Sequence, residues 1–333
     1  MKAAIYHGKQ AIEIQQIPTP KVGPKEVLIR NLRSSICGTD VAVYQHGPDG
    51  SHRLTVGQEF GHETVSEIVA VGHEIQEQFH VGQRVYPYPR LARNDPSRAG
   101  TLGAFSEYIL IPQPKWNQSL YAVPEAISNE EACMIEPFSV GTRAARRAQP
   151  QAGQTAIVFG AGTIGLAAAI ALQYFGLKKV MVVDLSKKRL EIARSLGFPV
   201  TTFQDMPKQA LAYFGQTSSQ RANVDIWIDA AGDEAVWTCF MQQGKIESRF
   251  VEVAVGPRYR NVDFVALSFA QKSLIGSGGY MPEDVEDVLA MMASHRWPIK
   301  NLISHTYRLD DLEQALQMAS DPASSLNVQI VLE

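Results

Sequence analysis

Thr155-Ala156-Ile157-Val158-Phe159-Gly160-Ala161-Gly162-Thr163-Ile164-Gly165 decides the fold. The run ending at Phe159 is apolar without alternation, as a strand buried on both faces must be. It breaks at once into glycines, and an Ala/Leu-rich helix follows through roughly Phe175. In this setting Gly160 allows a tight turn, Gly162 lets the backbone approach a pyrophosphate at the helix N-terminus, and Gly165 lets helix pack on strand. Thr163 and Ile164 open the helix and join the three glycines as candidate cofactor-binding residues. A glycine cluster alone is weak, because loops collect glycine by chance. Here a strand precedes it, a helix follows it, and Asp184 ends the next strand about 20 residues further on, where a ribose contact belongs. A carboxylate there accepts hydrogen bonds from a free 2'-hydroxyl and repels a 2'-phosphate, which favours NAD over NADP. Lys187, Lys188 and Arg189 read as the solvated first turns of the next helix.

Outward from this stretch the same rhythm continues. Val180-Met181-Val182-Val183 is a second buried strand. Ser186 is a candidate helix cap, with Leu190, Ala193 and Leu196 at helical spacing behind it. Further strands are expected at Val224–Ile228 and Phe250–Ala254. The segment Val253-Ala254-Val255-Gly256 is expected to end the strand flanking the nicotinamide, which makes Val255 a candidate cofactor contact. Strands alternating with helices mean a parallel, doubly wound sheet of Rossmann type, and an α/β fold class. The chain before Gln154 is β-rich instead, with short strands at Val27–Arg30, Ser66–Val71 and Phe105–Leu110 broken by Gly and Pro. Tyr86 to Gly103 reads as an exposed loop, with Arg90, Arg93 and Arg98 in solvent. The tail carries helices from Glu283 and Asp310 and a closing strand Val328–Val331.

Bulk properties narrow the class. With 333 residues, two domains are the natural expectation. A net charge of −3 lacks the basic excess a nucleic-acid partner would need. No apolar run is long enough to span a bilayer, and the N-terminus lacks a signal-peptide core, so a cytoplasmic enzyme with no membrane partner is expected. The three cysteines, Cys37, Cys133 and Cys239, fit a reducing compartment, and they cannot build a four-cysteine structural zinc site.

Three segments upstream of the nucleotide motif carry metal-binding residue types: Cys37-Gly38-Thr39-Asp40, Gly61-His62-Glu63 and Glu136-Pro137. Thiolate, imidazole and carboxylate together make a catalytic zinc shell with one position open. Singly, such a Cys is more often a small core hydrophobe, and such a His or Glu a surface group. Taken in order, the motifs resemble the zinc-containing medium-chain alcohol and polyol dehydrogenases, sorbitol dehydrogenases above all. Cys37 through Gly47 is similar to their first zinc-ligand segment, and Gly61-His62-Glu63 to the second. Glu136-Pro137-Phe138-Ser139-Val140-Gly141 with Arg146-Arg147-Ala148 is similar to the third. Gly103-Ala104-Phe105-Ser106-Glu107-Tyr108 resembles the strand after the structural lobe.

The resemblance covers essentially the whole chain. It implies a β-rich, GroES-like catalytic domain from residues 1–141 and 279–333 around a Rossmann domain of residues 142–278. It implies one zinc per chain, on Cys37 and His62, with Glu63 and Glu136 as ligands or close water-mediated neighbours. Asp40 would hold the ring of His62, and Thr39 would accept the substrate hydroxyl proton while zinc, as a Lewis acid, lets hydride leave for NAD. The implied substrate is a polyol or other secondary alcohol, with threonine 3-dehydrogenase and butanediol dehydrogenase activities as alternatives, and the implied assembly is a homodimer or homotetramer. Three departures stand out: Ala42 replaces the His that usually ends the proton relay, Ser66 replaces a usual Gly, and the four-cysteine lobe is deleted. A zinc-free reductase on the same fold lacks this Cys, His and Glu set. A non-catalytic NAD-binding protein would have no use for it, and metal analysis with an NAD-reduction scan separates the three.

Overall fold

The computed structural model describes residues 1–48, 54–93, 102–255 and 260–332. From the N-terminus the chain runs through β1 (Lys2–Gly8), β2 (Ala11–Gln16), β3 (Glu26–Ser35), α1 (Gly38–His46), β4 (Gln58–Glu59), β5 (Glu63–Val71), β6 (Arg84–Pro87), α2 (Pro89–Ala92), β7 (Tyr108–Pro112), β8 (Leu120–Ala122) and α3 (Asn129–Ala132). Next come α4 (Ile135–Arg147), β9 (Thr155–Phe159), α5 (Thr163–Tyr174), β10 (Lys179–Val183), α6 (Lys187–Ser195), β11 (Val200–Thr201), α7 (Met206–Phe214), β12 (Ile226–Asp229), α8 (Glu234–Gln243), β13 (Arg249–Glu252), α9 (Phe264–Phe269) and β14 (Ser273–Gly276). The chain closes with α10 (Pro282–Ala293), β15 (Ile303–Arg308), α11 (Leu312–Ala319) and β16 (Asn327–Val331).

Two compact units result, Met1–Glu136 with Leu302–Glu333, and Pro137–Asn301. In the second unit all six strands are parallel, in the order β11-β10-β9-β12-β13-β14. Renumbered within the unit this is 3-2-1-4-5-6, the doubly wound nucleotide-binding order. Every residue of β9 is buried, which explains its unalternating apolar sequence. One face of the sheet carries Trp227 and Phe250, packed against Trp237 and Phe240 of α8. Trp237 meets Phe250 edge-on at 5.3 Å between ring centres, a contact worth about 1 kcal/mol beyond area burial. Its indole nitrogen donates to the Asn261 carbonyl at 2.8 Å, whereas that of Trp227 in the same cluster is buried without a hydrogen-bond partner.

The first unit holds a seven-stranded sheet, β15-β16-β3-β5-β6-β8 with β7 also on β3, and a three-stranded sheet, β2-β1-β4. The C-terminal segment belongs here because β16 pairs antiparallel with β3. Helix α1 is fixed by Val43 and Tyr44, which share a core with Leu312 and Leu316 of α11 and Val328 and Ile330 of β16. The Tyr44 hydroxyl donates to Glu313 at 2.8 Å.

The unit boundaries fall at 136/137 and 301/302, whereas the sequence reading drew them at 141/142 and 278/279. Helix α10 stays with the second unit because Arg146 of α4 donates to the fully buried Asp284 at 2.7 Å and also reaches Asp287. The segment after Tyr86 is less exposed than its composition suggested. Tyr86 and Tyr88 are buried, Pro89–Ala92 is helical, and Arg93 pairs with Glu59 at 2.6 Å. Arg98 lies in 94–101, outside the described residues, and Gly256 lies outside them as well. Strand β13 stops at Glu252, two residues before its expected end, because the amides of Val253 and Ala254 both turn to the Asp229 carbonyl. Among the described residues no helix is long and apolar enough to cross a membrane.

Candidate metal centre and nucleotide site

Strands β3 and β5 build the metal site. They pair antiparallel with Ser35 opposite Glu63, so the chain leaving β3 and the chain entering β5 lie side by side. Cys37 is two residues beyond Ser35 and His62 one residue before Glu63, and the pairing brings all three donors together. One donor atom each from Cys37, His62 and Glu63 lies within 4.8 Å of the others. His62 and Glu63 are buried and Cys37 is half-buried.

Asp40 ties this group to α1. Its Oδ2 accepts the Cys37 amide at 3.0 Å, and its Oδ1 stands 3.3 Å from His62 Nδ1. With Nδ1 on the Asp40 side, the other ring nitrogen is left as the ligand atom. Thr39 occupies the first turn of α1, half-buried. Glu136 sits in the first turn of α4, close enough to Glu63 to act on its charge, but it is not one of the three grouped donors.

The electrostatics are those of a site built around a cation. Burial, with the Glu63 charge behind it, pushes the Cys37 thiol up to about 11. Burial, then the neighbouring Glu136, pushes the Glu63 carboxyl up to about 8. Burial works against charge on His62, yet Asp40 and Cys37 hold it well above the usual imidazole range. Glu63 Oε2 is buried and has no hydrogen-bond partner. Buried polar atoms are rarely left unpaired, and a divalent cation would supply the missing partner and favour both anions at once. Thiolate, imidazole and carboxylate are a donor set for zinc, so the residues present fit that metal.

In the other unit, Gly160 takes φ +94°, and a Cβ on Gly165 would lie 1.9 Å from the Gly160 carbonyl oxygen. Both glycines are therefore structural requirements of the turn between β9 and α5. Gly162, the N-cap of α5, faces open space: a Cβ there would have only Arg189 Nη1 within 4 Å, at 3.8 Å. The Asp184 carboxylate is oriented in advance, because Oδ2 accepts the Ala161 amide at 2.6 Å and Oδ1 the Ser186 amide at 2.7 Å. Ser186 caps α6 by accepting from the Arg189 amide. Lys187 and Lys188 are exposed, but Arg189 is half-buried beside the glycine turn, which corrects the reading of all three as a solvated run. Val255 is 91% exposed and lies beyond β13.

Sequence reasoning missed Ser35, Asn327 and Gln329, buried polar residues on the strands beside Glu63. No periodic signal marks a polar side chain satisfied inside a sheet.

A Cys, His and Glu donor group on the β-rich first unit and a 3-2-1-4-5-6 nucleotide sheet in the second define a zinc-type dehydrogenase. Residues 23–125 match the alcohol dehydrogenase GroES-like domain, and residues 163–294 match the zinc-binding dehydrogenase family. The chain is 30% identical to the sorbitol dehydrogenase of Bacillus subtilis, across 96% of this chain and 93% of that one. It is 25% identical to an L-threonine 3-dehydrogenase of Vibrio parahaemolyticus, across 98% and 96%. The crystal structure of 2R,3R-butanediol dehydrogenase from Bacillus subtilis superposes with a TM-score of 0.86 at 26% identity, covering 99% of each chain. The protein belongs to the zinc-containing medium-chain polyol dehydrogenase family, and it is an oxidoreductase.

Proposed function

We propose that this protein is an NAD-dependent dehydrogenase of secondary alcohols, polyols first, with one zinc per chain. The observation that carries this reading is the grouping of Cys37, His62 and Glu63 around a buried, unpartnered carboxylate oxygen. Bound zinc would supply Lewis-acid stabilisation of the alcohol oxygen, and NAD would take the hydride from the neighbouring carbon. Cys37, His62 and Glu63 hold the metal, and Asp40 fixes the ring of His62. Glu136 acts on the charge of Glu63 and is a close neighbour of the metal. Thr39 Oγ1 would accept the substrate hydroxyl proton while giving up its own toward the cofactor ribose and water, since Ala42 supplies no imidazole to take it.

The unit containing α1 and β5 is the catalytic part, and the unit Pro137–Asn301 is the nucleotide-binding part. There the amides around Gly162, Thr163 and Ile164 face the pyrophosphate at the N-terminus of α5, and Asp184 receives the ribose hydroxyls. The 91% exposure of Val255 supports a contact made only with bound cofactor. A homodimer or homotetramer is supported by exposed apolar side chains on α9 and the edge strand β14: Phe264, Val265, Phe269 and Leu274. Three unpaired cysteines support a reducing, cytoplasmic setting.

The test is a screen for NADH formation by the zinc-loaded protein over polyols, diols, aldonates and amino alcohols. The expected result is turnover with a polyol. Turnover confined to L-threonine or 2,3-butanediol would move the substrate to the alternatives. NADH from none of them, with zinc and NAD bound, would favour a non-catalytic NAD-binding protein.

A further inference from the structure

A row of buried polar side chains crosses three adjacent strands beside the metal donors. Gln329 of β16 pairs with Ser35 of β3, and Ser35 pairs with Glu63 of β5. Residues directly opposite in a ladder share one face, with Cβ atoms about 5 Å apart. Ser35 and Gln329 are fully buried, and Glu63 and Asn327 are each 2% exposed. Polar groups so placed must find partners within the protein.

The hydrogen bonds along this row have a direction, set by Arg33, which can only donate. Arg33 Nη1 donates to Gln329 Oε1 at 3.1 Å, and its Nη2 stands 3.5 Å from Glu130 Oε1. Gln329 therefore turns its nitrogen the other way, donating to Asn327 Oδ1 at 3.1 Å and to the Glu130 carbonyl at 2.9 Å. Asn327, its oxygen taken, donates Nδ2 to Ser35 Oγ at 2.8 Å. Ser35 thus receives a proton donor on its oxygen and keeps its own hydrogen for Glu63, its partner across the ladder, whose charged carboxylate the Ser35 side chain favours by hydrogen bonding.

We propose that Ser35, oriented through Asn327 and Gln329 by Arg33, is a positioning residue that engages one oxygen of Glu63 and leaves the other for the metal. The oxygen left over is the buried, unpartnered Oε2. The inference rests on the reading of Cys37, His62 and Glu63 as zinc ligands, and it assigns a role to four residues that touch neither metal nor substrate.

The test compares Ser35→Ala, Gln329→Met and Cys37→Ser with the native full chain. Zinc affinity is measured by chelator competition, the visible spectrum is recorded after cobalt substitution, and folding is checked by circular dichroism at the assay temperature. Removing partners that orient metal ligands commonly weakens metal binding about 10–100-fold, and Ser35→Ala is expected to fall in that range with a shifted cobalt spectrum. Gln329→Met should shift both in the same direction, because Asn327 is then free to reverse, and it decides the matter if Ser35→Ala does not fold. Native zinc affinity and a native cobalt spectrum in a folded variant overturn the inference. Cys37→Ser separates the two levels: if it abolishes tight zinc binding while Ser35→Ala does not, only the positioning role is lost. If Cys37→Ser binds zinc like the native protein, the metal-site reading itself is wrong.

Discussion

Replacing Asp184 with Ser should convert an NAD site into one that accepts NADP. Both carboxylate oxygens already take a backbone amide, Ala161 at 2.6 Å and Ser186 at 2.7 Å, so the group is held still before cofactor arrives. In the proposed site its remaining lone pairs would accept the ribose hydroxyls. Losing a hydrogen bond to a charged acceptor costs about 1.5–3 kcal/mol, or roughly 10–150-fold in affinity for NAD. For NADP, a phosphate about 5 Å from the carboxylate is repelled by about 3 kcal/mol at an effective dielectric of roughly 20. Asp184 is half-buried, so solvent screening brings that to about 1–2 kcal/mol. The substitution also releases two amides toward the phosphate and leaves the Arg189 charge beside Gly162 to face it. Together these should lower the NAD-to-NADP preference by about 10²–10³. Dissociation constants for NADH and NADPH from fluorescence quenching, with kcat/KM for each cofactor, measure it directly. A preference that moves less than about tenfold, or native protein that uses both cofactors equally, would refute the role given to Asp184.

Four further outcomes are expected. Thr39→Val should cut turnover by about 10²–10⁴ with zinc and NAD binding nearly intact, whereas Ala42→His should change the pH profile of kcat more than KM; native turnover by Thr39→Val would send the proton by another path. Gly165→Ala places a Cβ 1.9 Å from the Gly160 carbonyl oxygen, so it should lower stability by about 3 kcal/mol or more, read as a fall in the unfolding midpoint; an unchanged midpoint means the turn yields. Burial, then the neighbouring Asp229, raises the Glu252 carboxyl to about 7 against the pull of Arg260. A carboxyl that holds its proton more tightly when folded makes stability fall as pH rises from its unfolded value through about 7, by on the order of 2 kcal/mol. Glu252→Gln should flatten that slope in urea titrations at pH 5 and pH 8, and an unchanged slope would show that Glu252 is ionised throughout.

The nucleotide unit was legible because its strands are buried on both faces and its glycines are forced by backbone geometry. Thr155–Phe159 reads as β9 without a residue's error, and Gly160 and Gly165 stand where only glycine fits. The edge strand β14 escaped notice because none of Ser273, Leu274, Ile275 and Gly276 is fully buried. In the other unit, β3 runs ten residues to Ser35, well past Val27–Arg30, because Asn31 and Ser34 are buried polar positions. Asn31 donates to the carbonyls of Gly103 and Ser106, and Ser34 to that of Ala104. Periodicity cannot report a polar residue whose partner lies some seventy positions away. The donors Cys37, His62 and Glu63 were named from residue type and order, but their closeness follows from the β3–β5 register, which no local pattern encodes. The chain Arg33, Gln329, Asn327 and Ser35 was invisible for the same reason.

The most direct test is a crystal structure of the protein purified with zinc, with anomalous scattering collected at the zinc absorption edge. The expected map has one strong peak per chain, at about 2.3 Å from Cys37 Sγ, about 2.1 Å from a ring nitrogen of His62 and about 2.1 Å from a Glu63 oxygen. An empty position between Cys37 and His62, or a second fully occupied zinc elsewhere in the chain, would contradict the single catalytic metal on which the proposed function stands.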